Sequence, residues 1–178
     1  MKKNILLLIG IVLILSGCRN KFDGFDMIYR KDFAKAIPAG ASTFLSHYFI
    51  IEDIKPDFAT FAKNNGKSIT DVKKIIPKLM RINARFGDAN FGFISRVFVV
   101  IYPHKEPSKK VEVFYRENIP VNTGTILDLN AGVADMKTLL SDDNNTYDME
   151  VRLDFRSTPP LTIETFVDFS FLAVTSEE

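Results

Sequence analysis

The residue best suited to covalent chemistry is Cys18, the only cysteine in the chain. A thiolate is the best nucleophile among ordinary side chains, so this cysteine is a natural acceptor for an acyl-glyceryl group. It follows a basic start at Lys2 and Lys3 and an uncharged apolar run from Ile5 to Leu15. A basic start and an apolar segment of about a dozen residues predict a secretory signal, because such a run is too short for a permanent membrane span.

The residues that close this run, Leu15-Ser16-Gly17-Cys18, resemble the lipobox of bacterial lipoproteins. The resemblance implies cleavage after Gly17 and a diacylglyceryl thioether on Cys18. Two or three acyl chains anchor a protein almost permanently, since each buried methylene contributes roughly 0.8 kcal/mol. No Asp follows the cysteine, which favours the outer membrane over the inner one. We predict a signal peptide over residues 1–17 and a tether over residues 18–24.

Histidine and cysteine, the usual ligands of zinc, are sparse in the sequence. His47 and His104 are far apart and have no His or Cys neighbours at ligand spacing. A zinc site built on them would need carboxylates from elsewhere, so we predict ordinary strand or surface histidines. The stretch Asp142–Asp148 is oxygen-rich, but an EF-hand loop starting there needs Gly and Glu where this chain has Tyr147 and Leu153. We expect that stretch to form a turn, and we predict no metal and no cofactor beyond the lipid on the cysteine.

Four carboxylates near the C-terminus fall on one face of the predicted strands: Glu150, Asp154, Glu164 and Asp168. A glycosidase needs two carboxylates at a fixed separation in a pocket. Here Arg152 and Arg156 are interspersed among the acids, which favours a solvated sheet face. The sequence also has no nucleophile elbow, zinc-peptidase helix motif or phosphate-binding glycine loop. We therefore predict a protein without catalytic residues.

Composition narrows the class of protein and its partners. Residues 18–178 have the size of one domain, which can bury a sizeable core without disulfides. The chain has 23 Lys+Arg against 22 Asp+Glu, so its net charge is close to zero. A protein with this balance has no strong positive electrostatic field that would attract nucleic acid. Sixteen Phe and no Trp predict a Phe-rich core and make a carbohydrate site less favoured.

Alternation of apolar and polar residues is clearest over Tyr147–Phe155 and again from Leu161 to Phe171. This period of two predicts two strands, and Ser157-Thr158-Pro159-Pro160 marks a turn between them. We predict that the two strands form an antiparallel hairpin. Its register would place Arg152 opposite Asp168, because the alternative register sets like charges face to face.

Further strands are predicted by the same alternation, and they lead to a fold class. They fall within Phe25–Ile37, Phe44–Ile54, Met80–Phe86, Phe93–Tyr102, Val111–Tyr115 and Thr125–Leu129. Two short helices are predicted, one from a capping box at Ser68 and one from helical spacing over Val133–Leu140. Short strands with few helices predict an all-β, antiparallel, immunoglobulin-like β-sandwich over residues 25–178.

The order of these elements also resembles small β-sandwich lipoproteins of Bacteroidota. The resemblance covers about residues 25–175 and depends on loose apolar patterns in four segments: Val72–Met80, Asn90–Val99, Asn118–Pro120 and Asp135–Leu140. The predicted C-terminal hairpin, which ends with Phe169–Val174, also fits. It implies a β-sandwich on a lipid anchor, and it implies no active site.

These observations predict a non-catalytic binding or accessory subunit of the cell envelope, held at the outer membrane through Cys18. Its partners would be the membrane and an envelope protein or extracellular ligand, with no nucleic acid. A surface protein that captures a ligand or glycan is the alternative, with Tyr102, Tyr115 or Phe166 grouped in a groove. An adhesin component with an unpaired edge strand and a hydrolase are weaker alternatives. The periplasmic and cell-surface faces are both compatible with the sequence.

Overall fold

A computed structural model describes residues 22–33, 35–87 and 89–177. Cys18, the predicted signal peptide and the first part of the tether therefore lie outside the described residues. The chain forms eight strands: β1 (Phe22–Asp32), β2 (His47–Ile54), β3 (Lys74–Ala84), β4 (Ile94–Pro103), β5 (Val111–Arg116), β6 (Ile126–Ala131), β7 (Tyr147–Phe155) and β8 (Thr165–Glu177). Two short helices, α1 (Phe58–Asn64) and α2 (Lys137–Leu140), and two 3₁₀ turns, Ile69–Asp71 and Phe91–Phe93, lie between strands.

All strand pairs are antiparallel, and the strand order is β1-β8-β3-β6-β5-β4-β7-β2. The two four-stranded halves are joined where β5 pairs with β6 at Phe114–Ala131 and Tyr115–Asn130. The antiparallel all-β sandwich is confirmed. Its strand order is that of a jelly roll, in which the last strand lies beside the first. The immunoglobulin-like topology is not confirmed, because in that fold the first strand shares a sheet with the second.

Period-two alternation explains the core between the two halves. Along β7, Tyr147, Met149, Val151 and Leu153 are fully buried, while Arg152 is half-buried on the opposite face. Of the fifteen Phe side chains whose burial the structure describes, ten are buried, which confirms the predicted Phe-rich core.

The predicted hairpin of β7 and β8 is wrong, because the two strands lie in different halves. β7 lies between β4 and β2, whereas β8 lies between β3 and β1. Arg152 is therefore opposite Tyr48 and Phe98, and Asp168 is opposite Arg30 and Arg81. The connection over residues 156–164 is too long for a tight hairpin turn. It crosses between the halves instead.

Other strands follow the prediction more closely. β4 is central, as expected, with β5 and β7 on either side. β3 begins earlier than predicted and contains Pro77 at a register shift, a position that tolerates proline in a strand. β1 begins at Phe22, within the predicted tether. Helix α1 was not predicted, and the second predicted helix is reduced to a single turn at Lys137–Leu140.

Antiparallel pairing gives the sandwich two ends, which we name the near end and the far end. We define the near end as the end at which β1 begins. The strand registers show that β4 ends there, at Pro103, and that β7 begins there, at Tyr147. Ring contact between Phe25 of β1 and Phe58 of α1 agrees with this placement, because Asp143, just before β7, binds the Phe58 amide. The far end carries the β1–β2, β3–β4, β5–β6 and β7–β8 loops.

Candidate functional site

A cavity of about 450 Å³ opens at the near end, between the loop after β4 and the segment around α2. Val111, Met136 and Leu139 give it an apolar wall, and His104, Lys105 and Asp142 give it a polar rim. An apolar concavity with a few polar groups is the usual form of a small-ligand site.

The segment around α2 is fixed to β3 by backbone and side-chain bonds. The Asp135 carboxylate accepts hydrogen bonds from the amides of Ile75 (3.0 Å) and Lys137 (2.9 Å). The Met136 amide donates to the Ile75 carbonyl at 2.7 Å, and the Lys137 ammonium donates to the carbonyl of Val72 at 2.5 Å. This wall of the cavity is therefore held in place before any ligand arrives.

The acidic stretch after α2 forms the predicted turn. Asp142 accepts hydrogen bonds from Asn144 and Asn145, which hold the pKa of its carboxyl below the usual value. Asp143 accepts from the amides of Phe58 and Ala59 at 2.6 and 2.8 Å. Both carboxylates thus stabilise backbone: the first closes the turn and the second caps α1.

Three side chains from different strand ends meet at the same end of the sandwich. His104 follows β4, Asp148 lies at the start of β7 and Asp53 at the end of β2. The His104 Nδ1 atom is 2.9 Å from Asp148 Oδ1 and 3.6 Å from Asp53 Oδ1. The hydrogen bond to Asp148, then the charges of Asp148 and Asp53, raise the pKa of His104. We call these three residues the His104 cluster.

The two histidines have different surroundings. His47 stacks on Phe155 with ring centroids 4.5 Å apart and bonds the Ser42 carbonyl at 2.8 Å, as expected of an ordinary strand histidine. His104 does meet carboxylates from elsewhere in the chain. Sequence spacing gave no signal for this, because Asp53 and Asp148 come from strands distant in sequence.

The four carboxylates predicted on one face are divided between the two halves of the sandwich. Glu150 and Asp154 lie on β7 and pair with Lys110 at 2.7 Å and Arg96 at 2.9 Å. Asp168 lies on β8 and pairs with Arg30 at 2.6 Å, and Glu164 precedes that strand. The structure therefore does not bring them together as a pair of acids for glycoside hydrolysis.

The aromatic residues predicted to line a groove are also dispersed. Tyr102 is buried on β4, with the Lys110 ammonium 5.3 Å from its ring centroid. Tyr115 lies half-buried on β5. Phe166 lies on β8 in the other half, with the Arg30 guanidinium 4.8 Å from its ring. These three residues form no common groove.

The far end presents exposed apolar side chains from all four of its loops, a feature that the residue pattern did not predict. Phe44 is 97% exposed and Phe86 is 67% exposed, and Leu45, Val121 and Leu161 are exposed as well. Phe86 and Leu161 line a shared hollow of about 180 Å³. We call these five residues the far-end apolar surface. Large apolar side chains that a folded domain leaves exposed at one end are candidates for contact with other molecules.

Hydrogen bonds hold the far-end loops together in two pairs. The Asn90 side chain accepts from the amides of Gly92 (2.8 Å) and Gly124 (3.2 Å), which ties the β3–β4 loop to the β5–β6 loop. The Gly40 amide donates to the Pro159 carbonyl at 3.0 Å, which ties the β1–β2 loop to the β7–β8 loop. The apolar surface therefore rests on braced loops.

Comparison with known proteins gives no relative by sequence: no family model and no curated protein matches the chain. Among solved structures, the chain is similar to one of tomato aspermy virus, with a TM-score of 0.36 and 10% identity over 98% of this chain and 96% of that one. It is also similar to a structure of mud crab tombus-like virus, with a TM-score of 0.31 and 8% identity over 95% of this chain and 98% of that one. Within residues 22–33, 35–87 and 89–177, no helix is long and apolar enough to cross a bilayer.

Proposed function

We propose that the chain is a lipid-anchored outer-membrane lipoprotein that acts as a non-catalytic accessory subunit and binds an envelope protein through its far-end apolar surface. The observation that carries this proposal is that every far-end loop exposes at least one large apolar side chain. Leaving such side chains in water is unfavourable, at about 25 cal/mol per Å² of apolar surface. A partner that covers them recovers this free energy.

The position of the proposed anchor favours a protein over the membrane as the occupant of this surface. Acylated Cys18 would be joined to β1 by residues 19–21 alone, a reach of about 10 Å. β1 is eleven residues long and so spans about 35 Å. The near end would therefore face the membrane, and the far-end loops would extend away from it. A lipid ligand for those loops would have to leave its own bilayer.

The composition of the surface also favours a protein partner. Aromatic side chains are enriched among residues that dominate protein–protein binding energy, and Phe44 and Phe86 are the largest members of the surface. The loops that carry them are braced, so little conformational entropy is lost when the partner binds.

The test is co-purification of partner proteins from detergent-solubilised membranes by the full-length, affinity-tagged lipoprotein. We compare the wild type with a variant carrying Phe44→Ser and Phe86→Ser, and with Val133→Ser as the matched control. Val133 is 96% exposed but lies between β6 and α2 at the near end. We expect one stoichiometric partner with the wild type and the control, and its loss with the double variant. Equal recovery of that partner by all three proteins would refute the proposal.

A second candidate function, capture of a small ligand, is favoured by the near-end cavity. Its apolar wall and polar rim suit an amphipathic molecule, one with an apolar part and a polar part. Native mass spectrometry of protein gently extracted from membranes would detect such a ligand as an added mass. We expect Leu139→Trp, which fills the cavity, to remove the added mass. A spectrum of the wild type without any added mass would count against this function.

A further inference from the structure

We propose that the His104 cluster binds one divalent transition-metal ion at the near end of the sandwich. This inference is independent of the partner protein and of the lipid anchor. It depends on three side chains that converge from strands distant in sequence: Asp53, His104 and Asp148. One imidazole and two carboxylates form a donor set suited to Zn²⁺ or Mn²⁺.

The distances fit a shared ion. One ligand atom from each of the three side chains can be chosen so that all lie within 4.8 Å of one another. His104 Nδ1 is 2.9 Å from Asp148 Oδ1 and 3.6 Å from Asp53 Oδ1. In a tetrahedral zinc centre with bonds of about 2.0–2.2 Å, neighbouring ligand atoms are about 3.3–3.6 Å apart. The shorter His104 distance lies below this spacing and the longer one at its upper limit, so the three side chains are close enough to converge on one ion.

The surrounding bonds hold the ligands in position. Asp148 is 6% exposed, and its Oδ1 atom accepts the Asp53 amide at 3.0 Å. The Thr146 hydroxyl donates a hydrogen bond to Asp53 Oδ1 at 3.1 Å. The Thr146 carbonyl accepts a hydrogen bond from the His104 amide at 3.0 Å. A single residue thus fixes both the loop after β4 and the end of β2. Such supporting contacts orient metal ligands and strengthen binding.

Charge and position both suit a divalent cation. The two carboxylates of the cluster neutralise an ion of charge +2, and the imidazole adds a donor of intermediate softness. Three protein ligands leave at least one coordination position open. His104 and Thr146 also line the near-end cavity. The open position can therefore be filled by water or by an oxygen atom of a molecule in that cavity.

The competing interpretation is an ion pair in which His104 is held between two carboxylates with no metal. Metal titration separates the two interpretations. We use the full-length lipoprotein in detergent with a tag that contains no histidine. Zn²⁺ binding is followed by calorimetry, and Co²⁺ is followed by its visible absorption. The variants are His104→Gln and Asp53→Asn, with Glu106→Gln as a matched control that removes a charge from the cavity rim outside the cluster.

We expect one Zn²⁺ per chain in the wild type and in the control. His104→Gln should weaken binding by at least a hundredfold, and Asp53→Asn by about tenfold. Asp53 is exposed, so its variant should keep the metal-free unfolding midpoint of the wild type, which separates loss of a ligand from misfolding. A wild type that is not saturated by about 1 mM Zn²⁺, or a His104→Gln variant with unchanged affinity, would overturn the proposal.

Discussion

The backbone at Gly92 packs directly against the backbone at Val121: a Cβ atom added to the glycine would lie 1.8 Å from the Val121 carbonyl oxygen. This contact joins the β3–β4 loop to the β5–β6 loop. The clash would involve backbone on both sides, so no side-chain rotation can relieve it. The braced arrangement of the far-end loops therefore requires a residue without a side chain at position 92.

Gly92→Ala should lower the free energy of unfolding by about 3 kcal/mol, because the two loops must separate to admit the methyl group. Gly87→Ala is the matched control, since nothing lies within 4 Å of a Cβ atom built there. Urea unfolding of both variants measures the difference. Equal stability of the two variants would show that the loops are not in close contact.

Removing the buried hydroxyl group of Tyr147 and that of Tyr29 should change the stability of the protein in opposite directions. Within the part of the chain that the structure describes, the buried Tyr147 hydroxyl has no hydrogen-bond partner, whereas the Tyr29 hydroxyl donates to the Pro56 carbonyl at 2.5 Å. Tyr147→Phe should raise the free energy of unfolding by about 1 kcal/mol, and Tyr29→Phe should lower it by a similar amount. Thermal and chemical unfolding of both variants would check this. A destabilised Tyr147→Phe variant would mean that its hydroxyl is bonded.

Asp154 should make stability depend on pH in acid. Burial by itself raises the pKa of its carboxyl. The Ser46 hydrogen bond at 2.6 Å and the guanidinium groups of Arg152 and Arg96 outweigh burial. The pKa of Asp154 is therefore lowered from its usual value of 3.8. A lowered native pKa gives stability that is fully present above the unfolded pKa and is lost as pH falls through the native one.

We therefore expect the stability difference between the wild type and Asp154→Asn to be constant from pH 7 to about pH 5 and to shrink below about pH 4. Chemical denaturation across this range provides the measurement. A difference that stays constant down to pH 2 would contradict the lowered pKa.

Cys18→Ala tests the lipid anchor. Without a thiol there is no acceptor for the diacylglyceryl group, so the variant should lose acylation and leave the membrane fraction. Cell fractionation with metabolic labelling by a fatty acid follows both effects. Tight membrane binding by an unacylated variant would show that another part of the protein holds it there.

Several strands could be predicted because their signal is local. Alternation gave the bounds of β7 correctly, and the apolar run after Phe93 indicated the central strand β4. Strand pairing is not local, so the neighbours of β7 and β8 were predicted wrongly. Helix α1 has only seven residues and is stabilised from outside by the Asp143 carboxylate, which its own sequence does not reveal.

Neither candidate site could be assembled from the sequence. His104 meets its carboxylates only because β2 and β4 end, and β7 begins, at the near end of the sandwich. Phe44 and Phe86 look like core residues in a Phe-rich chain, and only the fold shows that both lie exposed on loops at one end. The residue types indicated which ligands and apolar groups the chain contains. Only the strand topology determines which of them lie close together.

Photo-crosslinking in living cells tests directly whether the far-end apolar surface binds an envelope protein. A photoreactive amino acid replaces Phe44, Phe86 or Val133 in the full-length lipoprotein. We expect Phe44 and Phe86 to crosslink to the same discrete envelope protein and Val133 not to do so. Crosslinks from Phe44 and Phe86 to lipid alone, or an identical pattern from all three positions, would contradict a far-end surface that binds a protein.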